Sequence, residues 1–406
     1  MGGTMSARLD LVVIGGGQAG LAMSAVLRDR GRDHVVLERY RTGERWRSER
    51  WDSLRFQFPN WSIALPGFNY EGRDPHGFAT ADEIAQLIQR YAADAPVREH
   101  TEVSSVERDG DGYAITTNDG RLRARRVVLA TGPFQRPRIP SMAAGVPEGL
   151  VQTDPTRYRN PDSLPPGAVL VVGAGASGIQ IADELAVAGR TVFLAVSRHR
   201  RVPRRFRGHD VYWWLERMGR FEQTVDRLPG GRWPPHTAVT GVNGGYDIDL
   251  RSMARSGVRV IGRVVGVSGR RLAVADDANQ ILDEADAAYI AFIDAARAIA
   301  PAIEDQLGDD DAVTPGTTPV PEVDEVDIAR EGIGSIIWAT GYEYDYDWLH
   351  IDVLDGYGRP VQQRGVTSAP GLFFLGLHWM HTFKSGLLSG VGADAAYIAD
   401  RLDDAT

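Results

Sequence analysis

The pattern of apolar and polar positions repeats one plan at two places in the chain. Residues 11–27 read LVVIGGGQAGLAMSAVL and residues 169–185 read VLVVGAGASGIQIADEL. In both segments a short apolar run, typical of a buried strand, enters a glycine-rich turn and then a segment of helical period. A further apolar run follows each helix, HVVLE after the first and TVFLAVS after the second. We therefore predict an α/β fold with two Rossmann-like units, each a parallel sheet with helices on both faces.

The rest of the chain has weaker patterns. Residues 113–132 predict strands joined by a hairpin turn at NDG, and residues 136–149 form a Pro-rich connector. Residues 281–307 have helical periodicity, whereas residues 308–327 are acidic and rich in Pro and Thr, which predicts a surface linker. Strand patterning returns at IGSIIWATGY, and GADAAYIADRLDDA predicts a final amphipathic helix.

Composition places the chain among globular proteins. Its 406 residues correspond to roughly two to three domains, and 43% of them are hydrophobic and 24% charged. No run of about 18 apolar residues lacks glycine or charge, so we expect no membrane span. The start, MGGTMSARLD, has no apolar core of a signal peptide, and we expect a cytoplasmic protein. A net charge of −9 argues against nucleic acid or anionic lipid as a partner.

Cysteine is absent, which excludes disulfide, thiolate–metal and CxxC redox chemistry. We predict no metal site, because His378 and His381 have no acidic or thiol residue beside them. Lysine occurs once, at Lys384, among 45 basic residues. A genome that favours arginine codons accounts for the excess of arginine over lysine. It does not explain why the single lysine is kept at this position.

The two glycine turns both fit the GxGxxG pattern of dinucleotide-binding proteins, with Gly15, Gly17 and Gly20 in the first copy. The first glycine permits the tight turn, the second lets backbone N–H groups approach a pyrophosphate, and the third lets helix and strand pack closely. Gly173, Gly175 and Gly178 occupy the same places in the second copy. Two dinucleotides are therefore predicted.

The residues after each turn indicate which dinucleotides these are. Glu38 lies 18 residues past Gly20, where a carboxylate binds ribose hydroxyls and repels a 2′-phosphate, which suits FAD or NAD. The second copy has no acid there. Instead Ser197, Arg198 and Arg200 follow the strand, which favours NADPH over NADH. The alternative is that these arginines are ordinary surface charge.

Nearly the whole chain resembles the bacterial flavin-containing monooxygenases of class B type, a group of flavoproteins with two dinucleotide-binding domains. The matching stretches are GGGQAGLAMS, GERWRSERWDSLRF, VVLATGPFQRPRIP, YRNPDSLPPGAVLVVGAGASGIQIADEL, IIWATGYEYD and PGLFFLGLHWMHTFKSGLLSGVGADAAYIA. The resemblance implies an NADP-binding domain at 151–325 inserted between the two parts of an FAD-binding domain, 8–150 and 326–406. It also implies that the two ATG segments are crossovers between the domains and the cofactors.

The resemblance implies FAD and NADPH as cofactors and an oxygen-transfer reaction. Reduced flavin would react with O₂ to a C4a-(hydro)peroxyflavin that oxygenates a small substrate, either a soft nucleophile (an amine nitrogen or a thioether sulfur) or a ketone. The cofactor supplies the chemistry, and the protein positions it and excludes water. The chain departs from the family at one position: Asp154 stands four residues before Tyr158, where a histidine is usual.

Three side chains are predicted to take part in catalysis, namely Lys384, Asp52 and Asn60. Lys384 would stabilise anionic reduced flavin near N1 and C2=O, unless it is a chance survivor on a loop. Asn60 would steady the oxygenated flavin, unless it is a turn residue of FPNWS. The predicted cofactor-binding residues are Gly15, Gly17, Gln18, Ala19, Gly20, Glu38, Arg39, Trp46, Arg47, Ser53, Thr131, Gly132, Gly173, Gly175, Ser177, Gly178, Ser197, Arg198, Arg200, Thr340, Gly341, Gly376, Leu377, Ser385 and Leu387.

Two other functions stay open at this stage. One is an FAD reductase or dehydrogenase that works without thiols, and the other is a sensor that holds both nucleotides without turnover. The run RHRRVPRRFRG is basic enough for nucleic acid, but it follows the predicted NADP strand in an acidic chain. Trp213 and Trp214 could wall the substrate cavity, form a homodimer contact or belong to the core.

Overall fold

The computed structural model describes residues 8–228, 233 and 238–404. The helices are α1 (Gln18–Asp29), α2 (Glu44–Ser48), α3 (Ala81–Tyr91), α4 (Ala176–Val187), α5 (Val211–Arg217), α6 (Leu250–Arg255), α7 (Ala278–Ile299) and α8 (Val391–Asp404). Within the described residues, every helix is too short or too polar to cross a lipid bilayer.

The strands are mostly short. In chain order they are β1 (Leu9–Ile14), β2 (His34–Leu37), β3 (Ala64–Leu65), β4 (Phe68–Asn69), β5 (Val97–Arg98), β6 (Val103–Asp109), β7 (Gly112–Thr117), β8 (Gly120–Leu129), β9 (Arg136–Pro137), β10 (Val151–Thr153), β11 (Ala168–Val172), β12 (Val192–Ala195), β13 (Arg205–Phe206), β14 (His209–Asp210), β15 (Val239–Thr240), β16 (Tyr246–Asp247), β17 (Arg259–Ile261), β18 (Val264–Ser268), β19 (Arg271–Val274), β20 (Glu325–Asp327), β21 (Ile333–Trp338), β22 (Tyr342–Glu343), β23 (Leu349–His350) and β24 (Leu372–Phe374).

The first sheet has eight strands in the order β23-β6-β7-β8-β1-β2-β5, with β24 paired to β8. Its centre is parallel, because β1 pairs with β2 and β8, and β24 with β8, in the same direction. The antiparallel pair β7 and β8 is the hairpin expected at NDG, where Gly120 has a φ of +123°. The strand–turn–helix–strand prediction for the first unit is therefore confirmed.

The second sheet is wholly parallel, in the order β10-β21-β11-β12-β17. Helices α4, α6 and α7 cover one face of it, and the antiparallel strands β18, β19 and β20 cover the other. The α/β class with two Rossmann-like units is confirmed, although a small sheet stands on one face where we expected helices.

The boundary expected between residues 325 and 326 needs correction. Strand β21 (Ile333–Trp338) lies between β10 and β11 in the second sheet, so the chain returns to the first unit only after Trp338. The apolar run IGSIIW predicts a buried strand but does not say which sheet it joins. Its partners are set by long-range contacts, which the local pattern does not contain.

The helix predicted over 281–307 is shorter than expected at its end. Helix α7 ends at Ile299, and two 3₁₀ turns, Ala300–Ala302 and Glu304–Gln306, follow it. Pro301 explains the change, because proline lacks an N–H and its ring clashes with the carbonyl one turn earlier. The final helix is α8; residue 405, the last of the predicted span, lies outside the described residues.

A separate group of buried residues lies beside the two sheets; we call it the aromatic cluster, because it contains Phe58, Phe206, Tyr212, Trp214, Phe221, Tyr289 and Phe292. It is built from α5, α7 and the loop before α3, and Trp214 is fully buried in it. Its polar counterpart is the ion pair of Arg204 with Asp210, whose side chains are only 2% and 9% exposed. The Arg204 guanidinium also donates to the Gln57 carbonyl at 2.7 Å, which ties the cluster to the first unit.

We expect Arg204→Met to destabilise the protein by about 3 kcal/mol, since it leaves the buried Asp210 carboxylate without a counter-ion. Arg121→Met is the matched control, because the Arg121–Glu107 pair is 58% and 44% exposed and its loss should cost less than about 1 kcal/mol. Urea unfolding of the three proteins measures both values. Equal losses in the two variants would contradict the assignment.

Candidate functional site

The first glycine turn is held by direct backbone contact with the first ATG segment. Gly15 has a φ of +112°, and a Cβ at this position would lie 2.5 Å from the Ala130 carbonyl oxygen. A Cβ at Gly20 would lie 1.9 Å from the Gly15 oxygen, so only glycine permits this approach of α1 to the turn. A Cβ at Gly17 would have no atom within 4 Å, so this side of the turn is open.

The second turn has the same geometry. Gly173 also has a φ of +112°, and its Cβ would lie 2.3 Å from the Ala339 carbonyl oxygen of the second ATG segment. A Cβ at Gly178 would lie 1.9 Å from the Gly173 oxygen, and Gly175 is open. We call the two turns the first and second cradle. Each begins a twelve-residue helix whose N-cap glycine provides no side-chain cap, so the first N–H groups remain available to a phosphate.

Glu38 faces the first cradle. Its carboxylate accepts a hydrogen bond from the Gly16 N–H at 2.6 Å and from the Tyr40 N–H at 2.9 Å. This places an acidic group beside the turn, where the ribose of a dinucleotide lies in this fold. Arg39 points elsewhere: its guanidinium lies 4.7 Å from the Tyr40 ring and 3.9 Å from the Glu102 carboxylate.

Residues 376–387, which we call the closing segment, contact the first cradle. The Gln18 side chain donates to the Gly386 carbonyl at 2.6 Å, and a Cβ at Gly376 would lie 2.4 Å from the Ala19 Cβ. The Ser385 hydroxyl accepts from the His381 and Thr382 N–H groups, which closes a short 3₁₀ turn. The structure therefore brings Gly376 and Gly386 of this distant part of the chain to the turn. Cofactor binding by Gly376, Leu377, Ser385 and Leu387 stays a prediction.

Lys384 lies in the same 3₁₀ turn, and its ammonium is 5.1 Å from the centre of the Phe221 ring. Phe221 in turn stacks on Phe383 with ring centres 5.8 Å apart. The single lysine therefore contacts the aromatic cluster.

The two ATG segments are joined side by side. Strands β9 and β22, which follow them, form an antiparallel pair, and the Arg138 guanidinium donates to the Thr340 carbonyl at 2.9 Å. The Gln135 amide donates to the Thr131 hydroxyl at 2.8 Å and to the Gly132 carbonyl at 2.9 Å, and it accepts from the Asp345 N–H at 2.7 Å. Gln135 and Arg138 were not among the predicted residues, although both lie in the stretch VVLATGPFQRPRIP.

Asp52 and Ser53 lie at the contact between the two units. The Asp52 carboxylate accepts from the Asn160 amide at 2.6 Å, and its N–H donates to the Arg159 carbonyl at 2.8 Å. Ser53 bonds the Glu184 side chain, which also accepts from the Tyr158 hydroxyl at 2.7 Å. Burial raises the pKa of Glu184, and this carboxylate has no basic partner among the described residues.

Two predicted residues are engaged by local structure. The Asn60 amide donates to the Asp74 carbonyl at 2.9 Å and accepts from the Ala79 N–H at 2.8 Å, so both its ends hold the 74–79 loop. The Arg47 guanidinium donates to the Thr42 carbonyl at 2.7 Å and to the Gln89 side chain at 2.9 Å, which joins α2 to α3. These contacts favour the turn role that we considered for Asn60.

Asp154, at the position where the resemblance leads us to expect a histidine, stabilises a local turn. The residue is buried, and its carboxylate accepts from the Thr156 N–H at 2.8 Å and hydroxyl at 2.6 Å. It thus closes the turn that leads to Tyr158, and this is a structural use of a short acidic side chain.

The predicted 2′-phosphate residues line a cavity of about 520 Å³ beyond the second cradle. Burial lowers the pKa of Arg200, and the charge of Arg220 lowers it further. The His199 Nδ1–H donates to the Ala174 carbonyl oxygen at 3.2 Å, and burial lowers the pKa of this imidazole. Helix α7 forms the opposite wall. The full lining is Ser197, Arg198, His199, Arg200, Leu215, Met218, Arg220, Glu284, Ala288, Ala291, Phe292 and Ala295.

Arg220 and Glu284 were missed because they are far from the glycine motif in sequence, on the segment after α5 and on α7. No local pattern marks Arg220 or Glu284.

The two tryptophans of α5 differ in their surroundings. Trp213 stacks on His209 with ring centres 3.9 Å apart, whereas Trp214 belongs to the core. Within the part of the chain that the structure describes, no cluster of three metal-ligating side chains occurs.

The cradles predict opposite outcomes for two similar substitutions. Gly17→Ala places a methyl group in open space, so the unfolding free energy should change by less than about 0.5 kcal/mol, while the methyl group blocks the pyrophosphate and FAD content falls at least about tenfold. Gly20→Ala creates a 1.9 Å contact with a carbonyl oxygen and should cost about 3 kcal/mol. Flavin absorbance and urea unfolding measure these effects. An unchanged FAD content in Gly17→Ala would refute the role of this cradle.

Comparisons with known proteins agree with this geometry. A family model described as pyridine nucleotide-disulphide oxidoreductase matches residues 12–220. An uncharacterized CzcO-like oxidoreductase of Geobacillus kaustophilus is 34% identical over 96% of this chain and 97% of its own. The indole-3-pyruvate monooxygenase YUCCA4 of Oryza sativa subsp. japonica is 31% identical over 43% of this chain and 44% of its own. The flavin-containing monooxygenase of Stenotrophomonas maltophilia has the same fold, with a TM-score of 0.70, 20% identity and coverage of 98% and 99%.

These matches confirm the resemblance to bacterial flavin-containing monooxygenases in fold and the prediction of an NAD(P)H-dependent flavoprotein oxidoreductase. The family description includes disulphide reductases, but this chain has no cysteine. The matched residues, 12–220, include both cradles and the first crossover. The chain therefore belongs to the pyridine nucleotide-disulphide oxidoreductase family.

Proposed function

We propose that the protein is an FAD- and NADPH-dependent monooxygenase that uses O₂ to oxygenate a small molecule, either at an amine nitrogen or thioether sulfur or at a ketone. One observation carries the proposal. The two cradles have the same geometry, and each is closed by an ATG segment whose continuation pairs with that of the other. Two bound nucleotides would therefore direct their reactive ends into one crevice between the units.

The first cradle fits FAD. The open side of Gly17 and the free N–H groups of α1 suit a pyrophosphate, and Glu38 suits a ribose. When bound, FAD would accept a hydride from NADPH and supply the oxygen-transfer chemistry. The chain's part would be to bind and orient the ring between Trp46, the Thr131-Gly132 segment and the closing segment.

The second cradle and its cavity fit NADPH better than NADH. Three arginines and Glu284 line the cavity, a formal charge of 3 − 1 = +2, which a 2′-phosphate of about −1.5 to −2 would balance. The small side chains of Ala288, Ala291 and Ala295 leave room on the α7 side. An NADH molecule would leave the positive charge uncompensated.

The aromatic cluster next to the closing segment would exclude water from the crevice. Phe58 contacts Tyr212 at 5.0 Å and Phe383 at 6.4 Å between ring centres, and Trp379 contacts Phe383 at 5.6 Å. A dry environment favours oxygen transfer over loss of the oxygen as peroxide. Asp52 would act by fixing the contact between the two units through Asn160, rather than by touching the substrate.

The absence of cysteine excludes the dithiol relay that reductases of this family use. A reductase without thiols is the alternative, and the fate of oxygen separates the two. We expect NADPH consumption to be matched by oxygenated product when amines, thioethers and ketones are supplied. Stoichiometric H₂O₂ with every substrate class, or transfer of electrons to an added acceptor only, would instead support the reductase. A homodimer remains a prediction.

Substitution in the cavity tests the choice of nucleotide. We expect Arg198→Gln and Arg200→Gln each to raise the KM for NADPH about tenfold, the equivalent of one charge-assisted hydrogen bond of about 1.4 kcal/mol. The KM for NADH should stay within about twofold, because NADH has no group for these side chains. Arg205→Gln is the matched control: Arg205 belongs to the same basic run, but it bonds the Gly244 and Gly245 carbonyls. Equal changes for NADPH and NADH would contradict a 2′-phosphate site.

A further inference from the structure

Arg50 is a partly buried cation that forms no ion pair with a carboxylate of the described residues. One of its five N–H donors bonds the Glu49 carbonyl at 2.8 Å, and no carboxylate among the described residues forms an ion pair with it. Its neighbours differ: Arg45 pairs with the Glu49 carboxylate at 3.5 Å, and Arg47 bonds Thr42 and Gln89. Because an uncompensated charge in a partly desolvated place is costly, such an arginine indicates an anionic group that binds there.

The charged and titratable groups around Arg50 come from three elements. Tyr342, on the second crossover, raises the pKa of Arg50 a little, as does Glu49, and Arg45 on α2 lowers it. Burial has the largest effect and lowers the pKa. The guanidinium also lies 5.3 Å from the Trp46 ring. The charges of Glu49 and Arg45, which pair with each other, act on Arg50 in opposite directions, and its other neighbours are the Trp46 ring and the Tyr342 phenol.

Arg50 lies beside Tyr342 of the second crossover, and Tyr342 is linked by ring contacts to the first crossover and to the closing segment. Tyr342 packs on Phe134 of the first crossover at 5.0 Å, and Phe134 packs on His378 of the closing segment at 4.8 Å. Arg159 of the second unit donates to the Arg50 carbonyl at 2.6 Å. Both units thus fix the backbone of Arg50 next to both crossovers.

We propose that Arg50 supplies the positive charge that stabilises the reduced flavin ring, an inference that rests on the proposed function. When both cofactors are bound, hydride transfer would move two electrons and one proton from NADPH, which becomes NADP⁺, to the flavin ring, and would leave one negative charge beside the protein groups around the ring until a second proton binds. A guanidinium beside the ring lowers the free energy of this anion relative to the neutral oxidised ring. Arg50 then has the role that the sequence assigned to Lys384, whose ammonium lies on Phe221.

The experiment measures the reduction equilibrium of bound FAD without turnover. Wild-type protein, Arg50→Met, Arg50→Lys, Lys384→Met and the exposed control Arg41→Met are reduced together with a redox dye, and flavin and dye spectra give the ratio of reduced to oxidised flavin. We expect Arg50→Met to shift this ratio about tenfold toward the oxidised form, which is about 30 mV for a two-electron couple. Arg50→Lys should stay within about threefold of wild type, since it keeps the charge.

The outcomes are distinct. A ratio unchanged within about twofold in Arg50→Met, with full FAD content and normal urea unfolding, overturns the proposal, and so does a shift in Lys384→Met alone. If Arg50→Met loses FAD, retention of FAD by Arg50→Lys supports a role of the charge, whereas loss in both variants overturns it. A shift of equal size in Arg41→Met also overturns it. Wild-type protein that binds no FAD at all would instead refute the proposed function.

Discussion

The contact between a glycine α-carbon and an alanine carbonyl is the constraint on which the rest of this structure depends, and it occurs twice. The Ala130 oxygen lies against Gly15, and the Ala339 oxygen lies against Gly173. A Cβ at either glycine would overlap the carbonyl, so neither turn tolerates another residue in this arrangement. Each contact fixes the end of a distant strand, β8 or β21, next to a nucleotide cradle. Because each chain segment runs directly from that strand into a crossover, the cradles and the crossovers cannot be positioned independently.

Electrostatics then distinguish two cradles whose backbones are alike. One has Glu38 bonded across the turn, and the other leads to a cavity lined by three arginines. Buried charges elsewhere are mostly paired, as Arg204 is with Asp210. Within the described part of the chain, Arg50 and the cavity arginines form no ion pair, and they lie at the proposed ligand sites, as expected if the cost of desolvation is offset only in the bound state.

Much of the candidate site could be predicted from the sequence, because its residues lie close together along the chain. Both glycine turns, Glu38 and the basic residues after β12 lie within one strand–turn–helix–strand unit each, so their spacing in sequence fixes their spacing in space. Asp52 and Asn60 show where this fails. A polar residue can stabilise a domain contact or a loop equally well, and the sequence does not distinguish the two. The structure does, because Asp52 bonds Asn160 of the second unit, whereas Asn60 bonds the 74–79 loop. Arg50, Arg220 and Glu284 gave no signal, because an unpaired charge cannot be recognised without its neighbours.

The sequence by itself determined the two cradles, the α/β class, the exclusion of thiol chemistry and the sign of the charged side chains that follow each cradle. These features follow from residue type and short-range periodicity, which act over a few residues. The tertiary structure decided which sheet β21 joins, which segment covers the second sheet, and which side chains from separate elements border the crevice. Those outcomes depend on contacts between residues far apart in the chain, whose free energy is set by mutual packing and desolvation rather than by any local pattern.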